Sequence, residues 1–229
     1  MKQLSVTPSR RERLIGGIYL ATQLLLLPVL LVVCNQLFRW QLSEAELNFL
    51  FFCVNFICVV AIFHRFILKN TKAALGAPLQ VLANAMGGYL LYTVTAGMVS
   101  QLILSLYPDF YNVNDSFVFQ MLSDKFGIIF VGTVFLVPIT EEILYRGLVF
   151  GGLYNRSRML AYGVSTLLFA VLHVYSYIGT YSPFQLLLCL FEYIPAGMIL
   201  GWIYARTDTL WTPILIHVAV NAIAVLAVR

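Results

Sequence analysis

The sequence predicts an all-α protein, a polytopic transmembrane helical bundle of about seven spans with a cytosolic N-terminus. Three observations carry this. Of 229 residues, 61% are hydrophobic and 10% charged, whereas soluble domains average about 45–50% apolar and about 25% charged. Several apolar runs reach the roughly 20 residues a helix needs to cross a bilayer, and they lack the two-residue alternation of a membrane β-barrel. The loop charges also alternate in sign along the chain.

The first run, Leu14 to about Phe38, follows Lys2, Arg10, Arg11 and Arg13. A signal peptide opens the same way, but this run is too long and has no small-residue cleavage site. It reads as a retained anchor helix, bent at Pro28 where a backbone donor is missing. Further spans run from about Leu47 to Leu68, Val81 to Leu106, Phe126 to Tyr154, Met159 to Ile178, Pro183 to Ala205 and Leu210 to Val228. A short helix between Tyr107 and Lys125 would be interfacial or re-entrant.

One set of loop ends holds the N-terminal cations, Arg65, Lys69, Lys72, Arg156, Arg158 and Arg206. The opposite set holds only Arg39, Lys125 and Arg229, beside Glu44, Glu46, Asp109, Asp115 and Asp124. Cytosolic loops carry the excess of Lys and Arg, so the basic set faces the cytosol and seven spans put the C-terminus outside. The net charge of +4 belongs to these loops rather than to a nucleic-acid surface. Cys34, Cys53, Cys58 and Cys189 lie inside apolar runs and read as packing residues. Gly147-x-x-x-Gly151 and Gly197-x-x-x-Gly201 have the spacing that lets membrane helices approach closely. The whole chain reads as one integral membrane domain, with anchor helices over 1–119 and a core over 120–229. A bacterial plasma membrane is the expected location.

The fourth span carries Glu141, Glu142 and Arg146 where a membrane helix should be apolar. Charge at the centre of a span costs about 2.5–3.5 kcal/mol on insertion scales, so it marks function. Glu142 and Arg146 are i,i+4 neighbours and can pair. Glu141 is turned about 100° from Glu142 and has no local partner. It is the candidate base, with the Glu142–Arg146 pair as its support. An interfacial salt bridge is the plainer reading of that pair.

Two histidines and an asparagine extend the pattern. The fifth span contains Phe169-x-x-x-His173, and the seventh contains His217-x-x-x-Asn221, whose spacing shares one helix face. Counted from the cytosolic ends, Glu141, His173, His217 and Asn221 fall in a slab about 12–21 Å deep at about 1.5 Å per residue. A shared site requires such agreement; isolated packing residues do not. A carboxylate and an imidazole can activate water, while His and Asn donors stabilise an oxyanion. Glu141, His173 and His217 could instead hold Zn²⁺ with an open position for water. No Ser or Cys beside a base stands out, and no H-E-x-x-H is present. Glu192, in the sixth span, is an additional candidate whose plainer role is a structural carboxyl.

Glu141-Glu142-x-x-x-Arg146, Phe169-x-x-x-His173 and His217-x-x-x-Asn221, in this order, resemble the three motifs of the CPBP intramembrane proteases. That family comprises type II CAAX prenyl endopeptidases and bacteriocin-processing or self-immunity proteins, also called the Abi family. Arg206-Thr207-Asp208-Thr209-Leu210-Trp211 is similar to the family's lead-in to its last motif. The resemblance covers about residues 120–229. It implies an intramembrane endopeptidase, with a site sunk in the membrane and open to the cytosolic side. Glu141 and His173 would activate the water, His217 and Asn221 would hold the oxyanion, and Glu142, Arg146 and Phe169 would organise the site. Many members are named metalloproteases, yet the family also supports a metal-free glutamate mechanism, which is the expectation here. The expected partners are membrane lipid and a peptide or protein substrate, CAAX-type or leader-peptide-type. The chain is shorter than eukaryotic CAAX enzymes, which argues against a prenylated substrate. The competing readings are a catalytically inactive scaffold or immunity factor binding a peptide or sensor protein, and a proton-coupled transporter.

Overall fold

A computed structural model describes residues 3–227 of the chain. Lys2 and Arg229, counted among the loop charges, and Val228, the expected end of the last span, lie outside the described residues. The described residues form helices joined by short loops, with no strand among them. The chain is an integral membrane protein with a polytopic helical bundle. All seven apolar runs are helical, but their lengths differ. Helices α3 (Glu44–Leu75), α4 (Pro78–Leu106), α5 (Val113–Tyr154) and α7 (Pro183–Thr207) are each long and apolar enough to cross a membrane. Helices α1 (Arg10–Leu25) and α2 (Leu27–Leu37) make a fifth such span if counted together across their 51° bend. Pro28 lies in the first turn of α2, so the expected bend falls where its missing N–H opens the ladder. Helices α6 (Arg158–Leu172) and α8 (Trp211–Ala227) are shorter, at 15 and 17 residues.

The loop between Tyr107 and Lys125, where a short interfacial or re-entrant helix was considered, is helical from Val113 as the first part of α5. Lys125 leaves helical geometry (φ −137°, ψ 63°) and separates it from the rest. Asn112 caps it, its side-chain oxygen accepting from the Asn114 and Asp115 N–H groups. The fifth span is shorter than expected. It stops at Leu172, the backbone tightens through His173 and Val174, and a 3₁₀ turn follows at Tyr175–Tyr177.

Segment 3–9 crosses one end of the bundle. The Ser5 N–H donates to the Asp208 carboxylate at 3.0 Å, the Leu4 N–H to Asn155 at 3.0 Å, and the Tyr204 hydroxyl to the Val6 carbonyl at 3.3 Å. Glu12 completes a capping box with Ser9 and reaches the Phe66 N–H at 2.9 Å, beside a kink at Phe63 in α3. Leu4, Phe63, Phe66, Phe150, Tyr204 and Leu210 fill the core beneath this end.

Helix α7 packs against α4, α6 and α8. Its contact with α6 needs the glycine of the Gly197-x-x-x-Gly201 motif. A Cβ at Gly197 would lie 2.8 Å from Thr166 Cα, backbone that cannot move aside. Gly147 likewise faces the Phe66 ring, 2.6 Å from a built Cβ. Without a hydrophobic drive between helices in lipid, such close approach supplies the dispersion contact.

Candidate active site

The acidic motif falls where α5 changes its winding. Gly132–Leu136 and Glu142–Phe150 are π-helical, with a single α-helical turn, Val137–Glu141, between them. Such widened turns concentrate at functional sites. The predicted i,i+4 pair therefore forms on a wider ladder than the α-helix expected. Pro138 sits in the α-helical turn and has no N–H for the carbonyls four or five residues back. One of those carbonyls, Thr133, instead accepts from the Asn221 side-chain amide at 2.9 Å.

Glu142 and Arg146 point into the bundle with fully buried side chains, Oε1 and Nη1 3.2 Å apart. Arg146 Nη2 donates to the Ala196 carbonyl at 3.3 Å, and the guanidinium carbon stands 4.5 Å above the Phe169 ring. A buried charge survives when paired and bonded in this way, and the ring adds a cation–π contact. His217 Nδ1 lies 3.0 Å from Glu142 Oε1, so the carboxylate orients the imidazole as well as the guanidinium.

Glu141 turns the other way, onto the wall of a cavity of about 330 Å³. Its Oε2 is buried and accepts no hydrogen bond among the described residues. His217 Nε2 faces it at 4.0 Å. His173 follows the last residue of α6, and its Nδ1 donates to the Phe169 carbonyl at 2.8 Å, leaving Nε2 as the acceptor. Its ring stacks on Tyr193, with centroids 4.2 Å apart. Phe169 stands between the imidazoles, 4.6 Å from His173 and 6.0 Å from His217.

Glu141, His173, His217 and Asn221 thus line one cavity, joined by Phe169. Glu142 and Arg146 stand behind its wall. Glu192 is not part of the wall; it accepts from the Asn112 side-chain amide at 2.9 Å. The sequence reading missed Asp115, Asn114, Tyr145 and Tyr193, and also Gln23 and Asn55 from the N-terminal helices, all of which line the cavity. Gln23 and Asn55 were findable as polar residues inside apolar runs. Asp115 had been counted only as a loop charge.

The cavity wall includes Asp115, Tyr175 and Tyr193 as well as His173.

The zinc alternative was tested against the same geometry. Among the described residues no three His, Cys, Asp or Glu side chains converge as a ligand group, Glu141, His173 and His217 included. One nitrogen of each imidazole is already bonded, His173 Nδ1 to a carbonyl and His217 Nδ1 to Glu142. Each ring keeps its Nε2 open, so the Nδ1 bonds are compatible with a ligand role and only the lack of convergence weighs against one.

Comparison with known proteins points to the same segment. A family model described as type II CAAX prenyl endopeptidase Rce1-like matches residues 123–223, which hold all three motifs. The likeness to the CPBP family read from those motifs is therefore found across them. The chain is 32% identical over 90 residues to the "Putative membrane peptidase YdiL" of Bacillus subtilis (strain 168). It is 29% identical over 86 residues to the "UPF0177 protein YxdF" of Lactococcus lactis subsp. lactis (strain IL1403). These matches cover 39% and 38% of this chain, and span only 32% and 42% of the two relatives. No solved structure matches the chain.

Proposed function

We propose, from this Rce1-like segment, that the chain is an intramembrane endopeptidase that hydrolyses a peptide bond with a water activated by Glu141. The observation that carries the reading is the Glu141 carboxylate. It lies half-buried on a cavity wall, its Oε2 buried with no hydrogen bond among the described residues and 4.0 Å from an imidazole that Glu142 already orients. Catalytic geometry requires a base held in place yet not consumed by a structural bond.

Glu141 takes a proton from the water, and the hydroxide adds to the substrate carbonyl. His173 Nε2, the acceptor left by the bond to Phe169, orients that water. Asn221 keeps one amide hydrogen on Thr133 and has a second for the tetrahedral oxyanion. His217 joins it through Nε2 when the ring carries both protons, its Nδ1 held by Glu142. Collapse breaks the C–N bond as Glu141 returns its proton to the leaving amine. No covalent enzyme intermediate forms. The substrate is a membrane-associated peptide or protein.

The test incubates the purified chain in lipid nanodiscs with a library of apolar peptides and maps products by mass spectrometry. Cleavage by wild type and none by Glu141→Gln is the expected result. Equal cleavage by both would overturn the mechanism.

A further inference from the structure

We infer that the cavity selects an apolar peptide segment bearing a Lys or Arg side chain, and that Asp115 is the carboxylate that receives it. This rests on the endopeptidase reading and names the substrate class for the same site. The cavity wall is mostly apolar and aromatic, with Phe51, Phe52, Tyr92, Phe119, Tyr145 and Phe169 among its residues. Among the described residues its charged members are Asp115 and Glu141, and no Lys or Arg lines it. Glu141 belongs to the chemistry, which leaves Asp115.

Asp115 is placed to be available. It lies in the first turn of α5, where the helix dipole favours an anion, and it is exposed at the cavity. The Tyr193 hydroxyl lies 3.2 Å from both its Oδ1 and Asn112 Oδ1 and shares one proton between them, leaving other acceptor positions of Asp115 open. Two basic residues of the same helix are engaged elsewhere. Lys125 pairs with Glu46 at 3.3 Å, and Arg146 is sealed behind Phe169. The Tyr193 ring that holds Asp115 also stacks on His173, so recognition and chemistry are one aromatic ring apart. A Lys or Arg stem can lie along such rings while its head reaches the carboxylate.

The same wall disfavours a free C-terminal carboxylate. An anion buried here would meet two carboxylates and no cation, and unpaired burial of charge is costly. The scissile bond is therefore internal to the segment, unlike the bond near a free C-terminus that CAAX-type cleavage needs.

The experiment uses the full chain in nanodiscs and matched quenched-fluorescence peptides. They differ at one scanned position, Lys against its neutral isostere norleucine, and at the C-terminus, amide against free acid. Cleavage gives kcat/KM ratios, and anisotropy gives binding ratios for the same peptides. Wild type is expected to favour Lys by about ten- to a hundredfold, the range of a hydrogen-bonded charge. The amide should be favoured over the acid. Asp115→Asn should bring the Lys ratio to about one, and Asp115→Glu should restore part of it, which a folding defect would not. A Lys ratio near one in wild type, or one that survives Asp115→Asn, overturns the inference. If nothing is cleaved yet binding shows the Asp115-dependent Lys preference, recognition stands and the endopeptidase reading falls. If the binding preference is absent too, both fall.

Discussion

His217 and Glu142, 75 residues apart in sequence, meet at 3.0 Å inside the bundle. Through that contact the last helix is joined to the acidic motif of α5. The other edge of the same imidazole faces Glu141 at 4.0 Å. Neighbouring carboxylates thus take opposite tasks: Glu142 is consumed by Arg146 and His217, and Glu141 is left open. Their separation follows from the turn of one residue along a helix, and it governs what each substitution should do.

Removing the open carboxylate should stop chemistry without harming the fold. Glu141→Gln keeps the shape and loses the base, a loss of about 10²–10⁴ in rate. Single-turnover peptide cleavage measures the rate, and thermal unfolding in nanodiscs should show little change.

Arg146→Ala should do the reverse. It leaves Glu142 buried with its charge partner gone, and breaking a buried pair costs about 3–5 kcal/mol. The Phe169 ring loses its cation as well. A melting temperature well below that of Glu141→Gln is the expected result; equal values would show that the pair is not structural.

Asn221→Ala should lose on both counts. It strands the Thr133 carbonyl beside Pro138, which costs about 1–3 kcal/mol, and removes an oxyanion donor, which costs about 10²–10³ in turnover. Lower stability together with slow cleavage confirms the double role. A slow variant as stable as wild type would show that the Thr133 bond carries no weight.

Chelation should leave cleavage intact, and elemental analysis should find less than one zinc per chain. The lack of a converging ligand group among the described residues gives the reason. A catalytic zinc would supply the activated water, so its loss would remove nearly all rate. Inactivation reversed by one equivalent of metal would contradict the geometry.

The sequence by itself determined that the chain is a helical membrane protein, because apolar run length and loop charge are local properties read in order. It also singled out Glu141, Glu142, Arg146, Phe169, His173, His217 and Asn221, since charge and imidazole inside apolar runs are conspicuous where burial makes them costly. Only the tertiary structure decided what each one touches. The π-helical winding around Glu142 depends on hydrogen-bond register, to which composition is blind. The bond from Asn221 to Thr133 needs α8 laid against a Pro138-broken ladder. Asp115 looked like any loop charge until α5 placed it at the cavity under Tyr193. Gln23 and Asn55 reach the same wall from the N-terminal helices.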